Sequence, residues 1–161
     1  GNSVYNGDFE LGNTGFSTSY TYTNRFLSAG YYCVDTNAHN YYLDTHGAIL
    51  PESKYATDMI IVTGNVTKKY AQKTLPIIGN MLLKDKFWQN QVVQVNILND
   101  GTVEMIPRIG EHIIYLGTPV NIDKKLERMR KFYLYGLNVA GWNKYTYISV
   151  EFDNQIICKR K

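Results

Sequence analysis

Three histidines, two cysteines and scattered serines and carboxylates are the groups with which this chain of 161 residues could do covalent or metal chemistry. Their spacing offers none of the usual arrangements. His39, His46 and His112 each stand apart from any carboxylate or cysteine at triad or ligand spacing, and acid–base catalysis needs an oriented partner within hydrogen-bond reach. His46 suits the shaping of a turn. Cys33 and Cys158 are 125 positions apart, with no C-x-x-C pair and no histidine pair at zinc-ligand spacing. Two independent thiols and a single disulfide both satisfy that pattern. Ser17, Ser19 and Ser28 lie in no G-x-S-x-G elbow, and no glycine-rich phosphate loop opens a helix. The expectation is a chain with no catalytic residue, no metal and no cofactor.

Other motifs carry two readings each. Asp8 and Glu10 alternate about Phe9 in NGDFE, which suits a calcium or sugar site on a sheet edge and equally the polarity of a turn. Tyr20, Tyr22, Tyr31 and Tyr32 have the apolar face and polar tip that stack on sugars, and the same rings pack half-buried strands. Asn65-Val66-Thr67 is a formal glycosylation sequon, here read as a turn or helix cap. Trp88 and Trp142 precede strands and are expected to anchor the core.

The elements that must position these residues are legible from composition and period. Hydrophobic residues make up 44%, aromatic ones 14% and charged ones 19%, which suits a packed core and excludes wholesale disorder. The net charge of +3 is too small to imply nucleic acid. Residues 1–56 hold two basic and five acidic side chains, hence −3, so the remainder carries +6. The same stretch holds eight of the 14 tyrosines. The shift suggests a β-type segment over residues 1–40 of separate character from residues 41–161. No window approaches the roughly 18 apolar residues of a membrane helix and no signal peptide opens the chain, so the polypeptide as it stands reads as soluble.

Tyr31–Val34 and Tyr41–Asp44 predict short strands, and Thr45-His46-Gly47 a hairpin turn into Ala48–Leu50, which Pro51 ends. Asp58–Thr63 predicts a buried strand. A helix capped by Asn65 or Thr67 follows towards Lys86, kinked or split by Pro76. Val92–Leu98, with Val93, Val95 and Ile97 on one face, turns through Asn99-Asp100-Gly101 into Thr102–Ile106. His112–Leu116 is the next strand. A second helix, capped by Asn121 or Asp123, buries Leu126, Met129, Phe132, Tyr133 and Leu137 and turns a solvated Lys/Arg face outwards. Lys144–Phe152 alternates, with Thr146, Ile148, Val150 and Phe152 as its core face, and Asp153-Asn154 turns it into Gln155–Cys158 before a basic tail, Lys159-Arg160-Lys161. The fold class is α+β: an antiparallel or mixed sheet with two helices packed on one face.

YYLDTHGAILP, IIVTGNVTKKYAQK, LLKDKFWQNQVVQVNILNDGTVEMIPRIGEHIIYLG and GWNKYTYISVEFDNQIICKRK together resemble the FtsQ/DivIB cell-division family, in its Bacteroidetes form, over about residues 41–161. Family members are single-pass membrane proteins with an extracytoplasmic POTRA domain followed by a β domain, and the portion here resembles the β domain. The resemblance implies a non-enzymatic scaffold at the periplasmic face of the inner membrane. Its implied partners are FtsB/FtsL-like coiled-coil division proteins, with no nucleic acid and with membrane contact only through an N-terminal anchor absent from this sequence. In the family the last strands form the partner edge, which maps here onto Tyr147–Phe152 and Gln155–Cys158, and the expected partner-binding residues are Phe152, Asn154, Gln155, Ile156, Ile157 and Cys158. Residues 1–38 match neither an anchor nor a POTRA domain. NGDFELGNTGF instead resembles the opening strand of jelly-roll carbohydrate-binding modules, which leaves a carbohydrate-binding or adhesive module as the alternative function.

Overall fold

The computed structural model describes the backbone of residues 32–35, 40–43 and 49–50 and the full structure of residues 60–161. The motifs around Asp8, Glu10, Tyr20 and Tyr22, the serines, His39 and His46 lie outside the described residues. In chain order the strands are β1 (Tyr32–Asp35), β2 (Asn40–Leu43), β3 (Ile49–Leu50), β4 (Ile60–Gly64), β5 (Val92–Ile97), β6 (Val103–Pro107), β7 (Ile113–Gly117), β8 (Tyr145–Ser149) and β9 (Ile157–Arg160). They form one sheet in the order β3-β2-β1-β4-β5-β6-β7-β8-β9. The sheet is mixed, with β1–β4, β4–β5 and β7–β8 parallel and the remaining neighbours antiparallel.

The parallel pairs β4–β5 and β7–β8 each require a crossover, and the helical residues supply both. Both crossovers step the same way along the sheet, so the right-handed rule lays both helical segments on one face. The first segment is α1 (Lys68–Lys73), α2 (Leu75–Lys84) and α3 (Lys86–Gln91). Thr67 caps α1 by accepting the Tyr70 N–H at 3.1 Å, a partner for one of the donors every helix start leaves open. The expected break near Pro76 occurs at Thr74, and Pro76 sits in the first turn of α2, where its missing N–H costs nothing. The sequence pattern did not separate α3. It starts because the Asp85 carboxylate accepts the Phe87 N–H at 2.8 Å, and it drives Trp88 into the core at 1% exposure.

The second segment is α4 (Ile122–Lys131), a π-helical run (Phe132–Leu137) and α5 (Asn138–Ala140). Leu126, Met129, Tyr133 and Leu137 are buried as their spacing predicts. The cationic face is not wholly solvated, since Lys125 is buried and donates from Nζ to the Thr118 carbonyl at 2.8 Å. Burial pulls its pKa below the ordinary lysine value. Ile60 and Val62 of β4, Val95 and Ile97 of β5, Val103 and Met105 of β6, Ile114 and Leu116 of β7 and Ile148 of β8 complete the core beneath the helices. A bulge between Val92 and Gln94 corrects the expected face of β5, because Val92, in place of Val93, joins Val95 and Ile97 in that cluster.

The sheet order also bears on the thiols. β1, which carries Cys33, and β9, which carries Cys158, are six strands apart. At roughly 4.8 Å per strand that is about 29 Å, far beyond the roughly 7 Å a disulfide spans between Cα atoms.

Candidate partner-binding edge

β8 and β9 pair antiparallel as expected, but further along the chain than the turn residues suggest. The register is Tyr145↔Arg160, Tyr147↔Lys159, Ile148↔Cys158 and Ser149↔Ile157. The Asp153-Asn154 turn lies within a longer connection, and Phe152 is 50% exposed and not on the core face. Thr146 is likewise exposed, because the β-ladder shifts between Tyr145 and Tyr147. Ile148 and Val150 are fully buried, as the alternation requires.

Phe152, Asn154, Gln155 and Ile156 therefore occupy the loop before β9, and only Ile157 and Cys158 of the six expected site residues lie on the strand. Ile156 packs against the core, while Gln155 is exposed. Lys159 and Arg160, which the sequence pattern places in a basic tail, are strand residues.

The loop is held from α4. The Arg128 guanidinium donates Nη1 to the Val150 carbonyl and Nη2 to Asp153 Oδ1, the second at 2.6 Å. Asn154 takes φ 63°, a left-handed turn that asparagine tolerates better than most residues. At the sheet end of the same region Gly117 has φ +72°, and a Cβ there would lie 2.6 Å from the Glu151 side chain.

β9 is the last strand in the sheet order, so among the described residues its outer side has no neighbouring strand. Lys161 N donates to Lys144 O at 3.3 Å. Alternation back along the strand turns the N–H groups of Lys159 and Ile157 towards β8 and those of Arg160 and Cys158 outwards. The Cys158 side chain packs on the core, and burial pushes its thiol pKa up. That leaves Ile157 and Lys159 on the opposite face of the sheet.

That face, which none of the described helices covers, carries one polar or aromatic contact after another from strand to strand. Gln94 Nε2 donates to Thr63 Oγ1 at 2.8 Å, Thr63 Oγ1 to Asn96 Oδ1 at 3.0 Å, and Asn96 Nδ2 to Glu104 Oε2 at 3.2 Å. Tyr115 and Tyr147 stack at 5.8 Å, and Lys159 Nζ stands 4.9 Å from the Tyr147 ring centroid. Burial, aided by Glu104, pushes the Tyr147 phenol up to about 12. Lys159 ties β9 to this face through the Tyr147 ring, and among the described residues no strand pairs with the outer backbone groups of β9. Sequence reasoning missed Lys159 and Arg160 as strand residues. The sequence carried no signal for it, since Ile156-Ile157-Cys158-Lys159-Arg160 runs apolar and then charged without alternating, and pairing with Tyr145 and Tyr147 decides it.

Among the described residues no group of three or more histidine, cysteine, aspartate or glutamate side chains is placed to hold a metal ion. No described helix is long and apolar enough to cross a membrane. Among curated proteins no sequence matches the chain. The family model for FtsQ/DivIB, C-terminal related, matches residues 32–159, from the first residue of β1 to within β9. With that match reaching from β1 into β9 and covering both crossovers, the chain belongs to the FtsQ/DivIB C-terminal-related family, a non-catalytic family of cell division.

Proposed function

We propose that this chain is a non-enzymatic scaffold of the bacterial cell-division complex. It acts at the periplasmic face of the inner membrane and binds FtsB/FtsL-like coiled-coil division proteins at the septum. The observation that carries the reading is the outer edge of β9, where the Arg160 and Cys158 N–H groups point away from β8. A partner segment that adds a strand there satisfies those groups, and the side chains of Ile157, Lys159 and the preceding loop from Phe152 to Ile156 set specificity. The basic run Lys159-Arg160-Lys161 favours an acidic partner strand.

Calorimetry with the cognate coiled-coil partner tests the site through two variants of one exposed residue. Arg160→Ala removes a charge and keeps the outward N–H. Arg160→Pro removes both, at a position where no bond to β8 is lost. Strand addition requires the proline variant to bind at least tenfold more weakly than the alanine variant, with both folded by circular dichroism. Equal affinities for the two would exclude the β9 edge. A wild-type chain without affinity for any such partner would remove the scaffold reading itself.

A further inference from the structure

The helices leave a cleft of about 380 Å³ between the α2–α3 junction and α4, within the roughly 300–1,000 Å³ typical of small-molecule sites. The half-buried Met81 and the buried Trp88 and Leu126 form its floor. One ion pair ties its two sides together. Arg130 of α4 donates Nη1 to Asp85 Oδ2 at 3.1 Å, and its guanidinium stands 5.0 Å from the Phe87 ring centroid. Asp85 Oδ1 accepts the Phe87 N–H, so both oxygens of this carboxylate are occupied in holding the walls.

The walls carry charges of opposite sign that do not meet. Lys84 ends α2 and Lys86 opens α3 on one side, while Asp123 and Glu127 stand one turn apart on α4 on the other. All four are exposed. Glu127 is 3.6 Å from Lys131 Nζ, whereas Lys84, Lys86 and Asp123 form no ion pair among the described residues. An apolar floor between a cationic and an anionic wall is complementary to a small molecule that carries a carboxylate and an ammonium group about an apolar body. A lone anion or a lone cation would be attracted by one wall and repelled by the other.

We infer that this cleft binds a small zwitterion of the amino-acid or dipeptide class. Lys84 and Lys86 hold its carboxylate, Asp123 and Glu127 its ammonium group, and the floor its side chains. None of these residues belongs to β9 or the loop before it, so the inference stands apart from the partner edge.

The probe is L-leucyl-L-leucine, titrated into the chain by calorimetry beside its N-acetylated and C-amidated forms, each of which keeps one charge. The free dipeptide should bind about tenfold more tightly than either blocked form, and added salt should weaken it. Lys84→Gln with Lys86→Gln, both at exposed positions, should weaken the free dipeptide about tenfold and should not weaken the amidated form. Asp123→Asn should weaken the free and amidated forms and not the acetylated one. Circular dichroism checks that each variant is folded. No binding at about 10 mM free dipeptide, a level that saturates even a site with Kd on the order of 1 mM, would overturn the inference. So would equal affinity for the free and blocked dipeptides, or for the wild type and the lysine variant. A protein partner whose affinity falls with the lysine variant while the dipeptide fails to bind would likewise overturn it and assign the cleft to a protein interface.

Discussion

The Nε2 of His112 lies 2.8 Å from the phenolic oxygen of Tyr133, and both groups are buried between the β6–β7 loop and the π-helical run. Trp142 closes over the pair, with ring centroids 4.8 Å from Tyr133 and 6.4 Å from His112. His112 Nδ1 has no hydrogen-bond partner. Burial therefore favours the neutral ring and depresses its pKa from 6.5 to about 4. The Tyr133 phenol is pushed up by the same desolvation.

This burial makes stability depend on pH with a definite sign. Between pH 6.5 and about 4 the unfolded chain binds a proton at His112 that the folded chain does not. Stability should therefore be full above about pH 6.5 and fall as pH drops through that window, by about 3 kcal/mol on the order of the shift. Urea unfolding from pH 7.5 to 4.5 should show this slope for the wild type and a flatter one for His112→Gln.

Arg128 is the strut beneath the loop that leads into β9, through its bonds to the Val150 carbonyl and Asp153. Arg128→Ala should destabilise the fold by roughly 1–3 kcal/mol, the cost of a half-buried carbonyl losing a charged donor. Amide exchange at residues 151–154 should quicken while that of β5 and β6 stays slow. An unchanged exchange pattern would show that the loop holds itself.

Gly64 ends β4 at φ +95°, and a Cβ there would run into the Ile97 carbonyl across the parallel pair. Its neighbour Asn65 also bonds that carbonyl, at 2.8 Å. Gly64→Ala combines left-handed strain with a backbone clash, so a loss of at least about 3 kcal/mol is expected. Thermal melts would measure it, with Gly101→Ala, where only the Tyr70 ring lies within van der Waals range at 3.6 Å, as the milder control.

Cys33 and Cys158 should remain unlinked to each other even under oxidising conditions, given the six-strand separation of β1 and β9. Peptide mapping without reductant should recover each cysteine in its own fragment. A Cys33–Cys158 linked peptide from the native monomer would contradict the sheet order.

The amino-acid pattern alone determined much of this protein. Alternation marked Ile148 and Val150 as core, the Asn99-Asp100-Gly101 turn marked the β5–β6 hairpin, and the spacing of Leu126, Met129, Tyr133 and Leu137 marked the buried face of the second helix. All of these are short-range signals, written within a turn or a pleat. Family resemblance likewise rested on the order of such local elements. What the tertiary structure decided was everything that depends on residues far apart in the chain. Strand order separated Cys33 from Cys158, and pairing with Tyr145 and Tyr147 drew Arg160 and Lys159 out of an apparent tail into β9. Packing buried Lys125 on a face that sequence gave to solvent, because the Thr118 carbonyl was there to receive its ammonium. The outward Arg160 N–H follows from one hydrogen bond between Lys161 and Lys144. Neither residue type encodes it, since the direction of a backbone donor is set by the neighbouring strand and not by the side chain that carries it.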